Sequence, residues 1–128
     1  VMIDVATLTG AIIIALGSVA SGLMSNDQGL ADDLLKAGNK AYDRLWQLPL
    51  WEDFQPGLDS PYADMRNIAN DVGASSIVAS AFLARFTKGI KWAHLDVAGT
   101  AMSTNPDKGA TARPVPLLLQ YIADYCET

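Results

Sequence analysis

Asp4, His94 and Asp96 are the side chains best placed to do chemistry, because each is ionisable and each interrupts an apolar run. A carboxylate or imidazole taken out of water must be paired or hydrogen-bonded. For Asp4, between Ile3 and Val5, two readings stand. It is a ligand or acid/base group, or it is a carboxylate satisfied by backbone donors at a strand end. In His94-Leu95-Asp96 the ionisable residues alternate with a leucine, which on a strand puts them on one side. That spacing suits a metal pair or a proton relay, and it suits two structural groups in a core equally well. Ser75 and Ser76 lack a Gly-x-Ser-x-Gly setting and Cys126 has no paired histidine, so nucleophilic catalysis is unsupported. A single histidine and a single cysteine also exclude a zinc centre built from several of either.

Two loops could hold a ligand. Thr7-Leu8-Thr9-Gly10 follows a strand and opens a helix, and ligands of open α/β sheets gather at such turns. Its backbone N–H and C=O groups could grip a peptide as a strand would; an ordinary connection is the other reading. Neither GxGxxG nor GxxxxGK occurs, which leaves a nucleotide cradle without support. Gly99–Ala110 reads as a long polar loop, flanked at its end by Lys108 and Arg113. Loops of that length are functional, mobile or simply solvated.

The elements that must position these residues alternate. Val1–Ala6 is nearly continuous in apolar residues and reads as a buried parallel strand. Ala11–Leu16 is a short helix stopped by Gly17, and Val19–Ser25 a second strand. Asn26 or Asp27 caps a helix over Gln28–Leu45, whose leucines and alanines fall on one stripe. Trp46–Leu50 is a short extended piece, Trp51–Tyr62 loop or short helix, Ala63–Ile68 strand or loop, and Ala69–Gly73 a turn. Ala74–Thr87 is a helix, Trp92–Ala98 a strand, and Thr111–Cys126 a last helix with Pro114 and Pro116 in its first turn. Strand–helix alternation predicts one α/β unit, a mainly parallel sheet flanked by helices.

Composition narrows the classes. The 128 residues are 50% hydrophobic and 18% charged, which excludes intrinsic disorder and suits a single core. Net charge −5 argues against nucleic acid and anionic membrane surfaces as partners. Val5–Asn26 is uncharged, but Thr7, Thr9, Gly10, Gly17, Ser18, Ser21 and Gly22 break it, so strand–turn–helix–strand is favoured over a membrane span. The lone Cys126 excludes an internal disulfide and fits a reducing compartment.

Several stretches together resemble the leucyl aminopeptidase (cytosol aminopeptidase) family of metalloexopeptidases, in particular its bacterial aminopeptidase A branch. They are IDVATLTGA at Ile3–Ala11, ALG at Ala15–Gly17, GLMSN at Gly22–Asn26, DRLWQLPL at Asp43–Leu50 and S-x-x-ADMRNI at Ser60–Ile68. FLARFT at Phe82–Thr87, WAHLDVAGTA at Trp92–Ala101 and KGATARPVPLLLQY at Lys108–Tyr121 complete the series, in family order and spacing. The resemblance implies the C-terminal portion of a catalytic domain in which two divalent metals, zinc or manganese, activate water against the N-terminal peptide bond. In that family the ligand motif N-T-D-A-E-G-R precedes the IDVATLTGA strand and lies outside this sequence. Asp4 and Asp96 match family positions that are not metal ligands, which favours structural roles for both. What carries over is the substrate wall. Thr7, Leu8 and Gly10 match positions lining the site, with the Leu8 carbonyl and Gly10 N–H toward the substrate backbone. Ala98 and Ala101 match positions around the first side chain.

From this follow the expectations. The chain is the substrate-pocket part of a cytoplasmic aminopeptidase that releases N-terminal residues, leucine preferred, from peptide substrates. Its partners are the N-terminal part of the same protein and further copies in a hexamer. Alone it holds no metal, has no catalytic residue and is inactive; the rival reading is a truncated binding or scaffold domain. Asp4, His94 and Asp96 are expected to be buried and partnered. Family members usually have glycine at Ala112, and many have Ala-Gly at Ala74-Ser75, so the side chains of Ala112 and Ser75 are expected to disturb a close backbone approach or a positive-φ conformation.

Overall fold

The structure is a computed structural model and describes residues 1–69 and 73–127. Strands β1 (Met2–Ala6), β2 (Ser21–Ser25), β3 (Leu45–Gln47) and β4 (Trp92–Asp96) form one sheet in the order β1-β4-β2-β3. Helices α1 (Gly10–Leu16), α2 (Gln28–Lys40), α3 (Ser75–Ala84) and α4 (Val115–Cys126) flank it. β1 is parallel to β4 and β2 to β3, whereas β2 runs antiparallel to β4. The α/β class therefore holds, with a mixed sheet: β4 enters between β1 and β2 and runs with one and against the other.

Alternation of side chains sorts the two faces. Leu23, Ala93, Leu95 and Val97 point to one side and form the main core with Leu30, Ala31 and Leu34 of α2 and Leu117 of α4. Gly22, Trp92, His94 and Asp96 point to the other, beneath α1 and α3. A β-carbon on Gly22 would meet Ile12 Cδ1 of α1 at 2.6 Å, so glycine lets α1 lie directly on the sheet there. A smaller cluster of Leu58, Val78 and Ala81 joins α3 to two 3-10 turns at Glu52–Phe54 and Pro56–Leu58.

Local signals set most ends. Thr9 accepts the Ile12 N–H as N-cap of α1, and Gly17 at φ 62° stops that helix. Asp27 caps α2 by accepting the Leu30 N–H at 2.8 Å. That bond, with help from nearby Lys91, holds the Asp27 carboxyl below its ordinary range.

Four expectations need correction. Helix α2 ends at Lys40 instead of Leu45, because Tyr42 takes φ 54° and the Asp43 N–H returns to the Gly38 carbonyl. This is a Schellman stop without its usual glycine, and it frees Leu45 for β3. Strand β1 is not buried: it is an edge strand, and Met2 and Val5 are exposed. Helix α4 begins at Val115, since Thr111 is drawn back to the Ala101 carbonyl and Ala112 sits at φ 64°. The 99–110 loop is partly built, closed by the Met102–Ala110 bridge and the Ser103 N–H to Gly109 carbonyl bond. Ala63–Ile68 has no regular structure, and part of the expected Ala69–Gly73 turn lies outside the described residues.

Ala112 and Ala74 (φ 47°) both occupy the left-handed region, which costs an L-residue about 1–2 kcal/mol. Glycine there relieves the strain and gives some back in unfolded-state entropy. Ala112→Gly is expected to stabilise the full-length protein by about 0.5–1 kcal/mol, read as a higher thermal midpoint. A lower midpoint would show that the alanine methyl contributes more by contact than it costs in strain.

Candidate functional site

Both candidate ligand turns follow the carboxyl ends of neighbouring parallel strands, β1 and β4, and the structure brings them together. The Val97 N–H bonds to the Ala6 carbonyl, extending the pairing to the last residues before the turns. Beyond that point one buried carboxylate joins them. Asp96 Oδ1 accepts the N–H of Leu8 at 3.1 Å and the N–H of Ala98 at 3.2 Å, and Oδ2 accepts the Thr9 hydroxyl at 2.7 Å. These three donors account for a fully buried carboxylate.

The predicted site residues fall as follows. Thr7, Leu8 and Gly10 are exposed along the β1–α1 turn, and Ala98 is half-buried beside it. A β-carbon on Gly10 would meet nothing within 4 Å, so the space above this turn is open. Ala101 is half-buried and packs against the main core, with its N–H on the Val97 carbonyl. Thr100, between them, is buried, hydrogen-bonded to Ser21 at 2.6 Å, and its carbonyl accepts the Thr111 hydroxyl. The Ala98–Ala101 turn is thus anchored from β2 and from the α4 approach. A cavity of about 480 Å³ opens from Leu8 and Thr9 toward α3, where Ser75, Val78 and Phe82 line it.

His94 and Asp96 do share a side of β4, but they serve different partners. His94 Nδ1 meets Asp4 Oδ1 at 2.5 Å; a carboxylate only accepts, so Nδ1 carries the proton. The Trp92 indole N–H donates to the other oxygen of Asp4 at 2.6 Å. His94 is fully buried and its Nε2 has no partner among the described residues. Asp4, expected buried, is half-buried instead, 36% of its side chain being exposed, because β1 lies at the sheet edge. All three groups are partnered within the fold.

Sequence reasoning missed one participant, Ser76, and the capping role of Thr9, whose turn it had singled out. Ser76 bonds Thr9 Oγ1 at 2.6 Å, which links α3 to the turn. Nothing in the local sequence of α3 signals that contact. Thr9 itself carried a usable signal, a capping residue three positions before Ile12.

Metal ligation does not fit the described residues: no three His, Cys, Asp or Glu side chains converge. Of the candidate ligands, Asp4 is engaged with His94 and Trp92, and Asp96 with the N–H groups of Leu8 and Ala98 and the Thr9 hydroxyl. No helix among the described residues is long and apolar enough to cross a membrane.

Comparison with known proteins bears on this geometry. The chain is 63% identical over 122 residues to a probable cytosol aminopeptidase of Nitrosococcus oceani, covering 95% of this chain and 24% of that protein. It is 60% identical over 121 residues to one from Methylobacillus flagellatus, covering 94% of this chain and 24% of the relative. A third, from Thioalkalivibrio sulfidiphilus, is 59% identical over 122 residues, covering 95% and 24%. The chain spans about a quarter of the length of these relatives. The model of the cytosol aminopeptidase family's catalytic domain matches residues 1–119, and the chain belongs to that family.

Proposed function

We propose that this chain forms the substrate-binding wall of a metal-dependent aminopeptidase that releases N-terminal residues, leucine preferred, from peptides. The observation that carries the reading is the convergence of the Thr7–Gly10 and Ala98–Ala101 turns on one Asp96 carboxylate, at the carboxyl ends of two parallel strands. The exposed backbone of Leu8 and Gly10 would hold the substrate main chain, and the methyls of Ala98 and Ala101 would border its first side chain. Burying a leucine side chain there is worth roughly 1.5–3 kcal/mol. The activated water would come from two divalent metals, zinc or manganese, held by residues outside this chain. The 128 residues alone would then be inactive. The exposed Met2, Val5, Ile14 and Ile122 support partners that cover them: the rest of the same polypeptide, and further copies in a cytoplasmic hexamer.

The test uses the full-length enzyme. Ala98→Leu is expected to raise KM for leucyl amides over alanyl amides by roughly 5- to 150-fold, the equivalent of overpacking an apolar slot by about 1–3 kcal/mol. Gly10→Val is expected to harm both substrates alike. Since Gly10 has open space around its α-carbon, that loss would not come from a packing clash. An unchanged leucyl-to-alanyl ratio in Ala98→Leu would remove Ala98 from the pocket.

A further inference from the structure

With Asp96 as a carboxylate, the hydrogen bonds around it take one consistent set of directions. The carboxylate can only accept, so the Thr9 hydroxyl spends its single proton on Asp96 Oδ2. Thr9 Oγ1 then accepts twice, from the Ile12 N–H at 3.4 Å and from the Ser76 hydroxyl at 2.6 Å. Ser76 thus donates to Thr9 and Thr9 to Asp96 Oδ2, while the N–H groups of Leu8 and Ala98 donate to Asp96 Oδ1. Ser76 belongs to the first turn of α3, beside Ser75 and Val78 on the cavity wall. Asp96 is completely buried under both turns, so it reaches no ligand itself.

We propose that Asp96 is a positioning residue of the peptidase site. Its carboxylate sets the separation of the Thr7–Gly10 and Ala98–Ala101 walls and, through Thr9 and Ser76, registers α3 against both. This deepens the proposed aminopeptidase reading and rests on it. A carboxylate suits the position because it offers acceptors in three directions without a proton of its own. An amide keeps Oδ1 for the two backbone N–H groups but presents N–H to Thr9, which already holds two donors. Thr9 must then turn its proton to Ser76, which reverses the link and keeps the walls. A methyl at this position releases all three groups.

The walls contact the substrate's N-terminal residue before and during the reaction, so their displacement reads mainly in KM and in selectivity. In the full-length, metal-loaded enzyme, Asp96→Ala is expected to lower kcat/KM for leucyl amides by about 10- to 100-fold, mostly through KM. Its leucyl-to-alanyl preference should collapse. Asp96→Asn should recover most of both, and Thr9→Val, which removes the link to α3, the donor on Asp96 Oδ2 and the cap on Ile12 but leaves both backbone N–H groups on Oδ1, should fall between. Loss of folded protein alone would lower the active fraction and leave KM and the preference untouched. Where Asp96→Ala does not fold, Thr9→Val and Ser76→Ala, each expected to raise leucyl KM by about two- to tenfold, carry the test. An active wild type whose Asp96 and Thr9 variants keep wild-type KM and preference overturns the positioning role alone. A full-length wild type with no activity on leucyl amides overturns the aminopeptidase reading, and this proposal with it.

Discussion

Gly99→Ala is expected to cost the full-length protein at least about 3 kcal/mol, the upper end of what overpacking costs, and with it most of the soluble yield. A β-carbon at this position would lie 2.1 Å from the Gly17 carbonyl oxygen and 3.2 Å from its carbon. Both are backbone atoms, so no rotamer change relieves the clash. Either the Ala98–Ala101 turn or the α1–β2 connection must move, and each is tied elsewhere. Thr100 is held by Ser21 and Thr111, and Ala98 by Asp96. The connection at Gly17 is fixed by its own N–H to the Ile13 carbonyl. Gly109→Ala separates sterics from backbone strain. Gly109 sits at φ 65° with nothing within 4 Å of its would-be β-carbon, so it should cost only the strain, about 1–2 kcal/mol. Thermal midpoints of the two variants, measured side by side, make the comparison. Equal small losses would mean that the two segments part easily, and the close approach at Gly99 would not be what holds the cleft.

Much of this fold was legible because its signals are local. Gly17 and Asp27 stand where a stop and a cap must stand, and strand–helix alternation predicts the sheet. The errors share a cause: the deciding contact was distant in sequence. The end of α2 was hidden because a tyrosine, not a glycine, takes the left-handed residue after the helix. Asp4 read as buried because its neighbours in β1 are all apolar, and a strand's place at a sheet edge depends on which strands pair beside it. The antiparallel β2–β4 pairing is likewise a matter of order in the sheet, which periodicity does not encode. At the site, alternation correctly put His94 and Asp96 on one side of β4. It could not say that one would serve Asp4 and the other the two turns. The family resemblance pointed to unusual backbone at Ala112 and Ser75; Ala112 lies at positive φ, whereas Ser75 opens α3 and the positive φ falls on Ala74 before it.

Arg113→Ala is expected to destabilise the full-length protein by about 3–5 kcal/mol, because it strands a buried carboxylate. Asp43 is 3% exposed at its side chain and receives Arg113 Nε at 2.5 Å, with the Leu117 N–H on its other oxygen at 3.4 Å. The rest of the guanidinium reaches the carbonyls of Ser18 and Val19 before β2 and of Arg44 before β3. One side chain therefore gathers the entries to two strands and the first turn of α4. Charge alone does not reproduce this. Lysine offers a single ammonium at the end of a flexible stem, so Arg113→Lys should keep the attraction to Asp43 and lose most of the carbonyl bonds. Its stability is expected between wild type and alanine. Removing the carboxylate as well should recover part of the loss, since no unpaired charge remains: Asp43→Leu with Arg113→Met should be more stable than Arg113→Ala. Unfolding midpoints of the single and double variants give the coupling directly. If Arg113→Ala stays within about 1 kcal/mol of wild type, the range of a surface ion pair, then water reaches Asp43 and the pair does not hold the strand entries together.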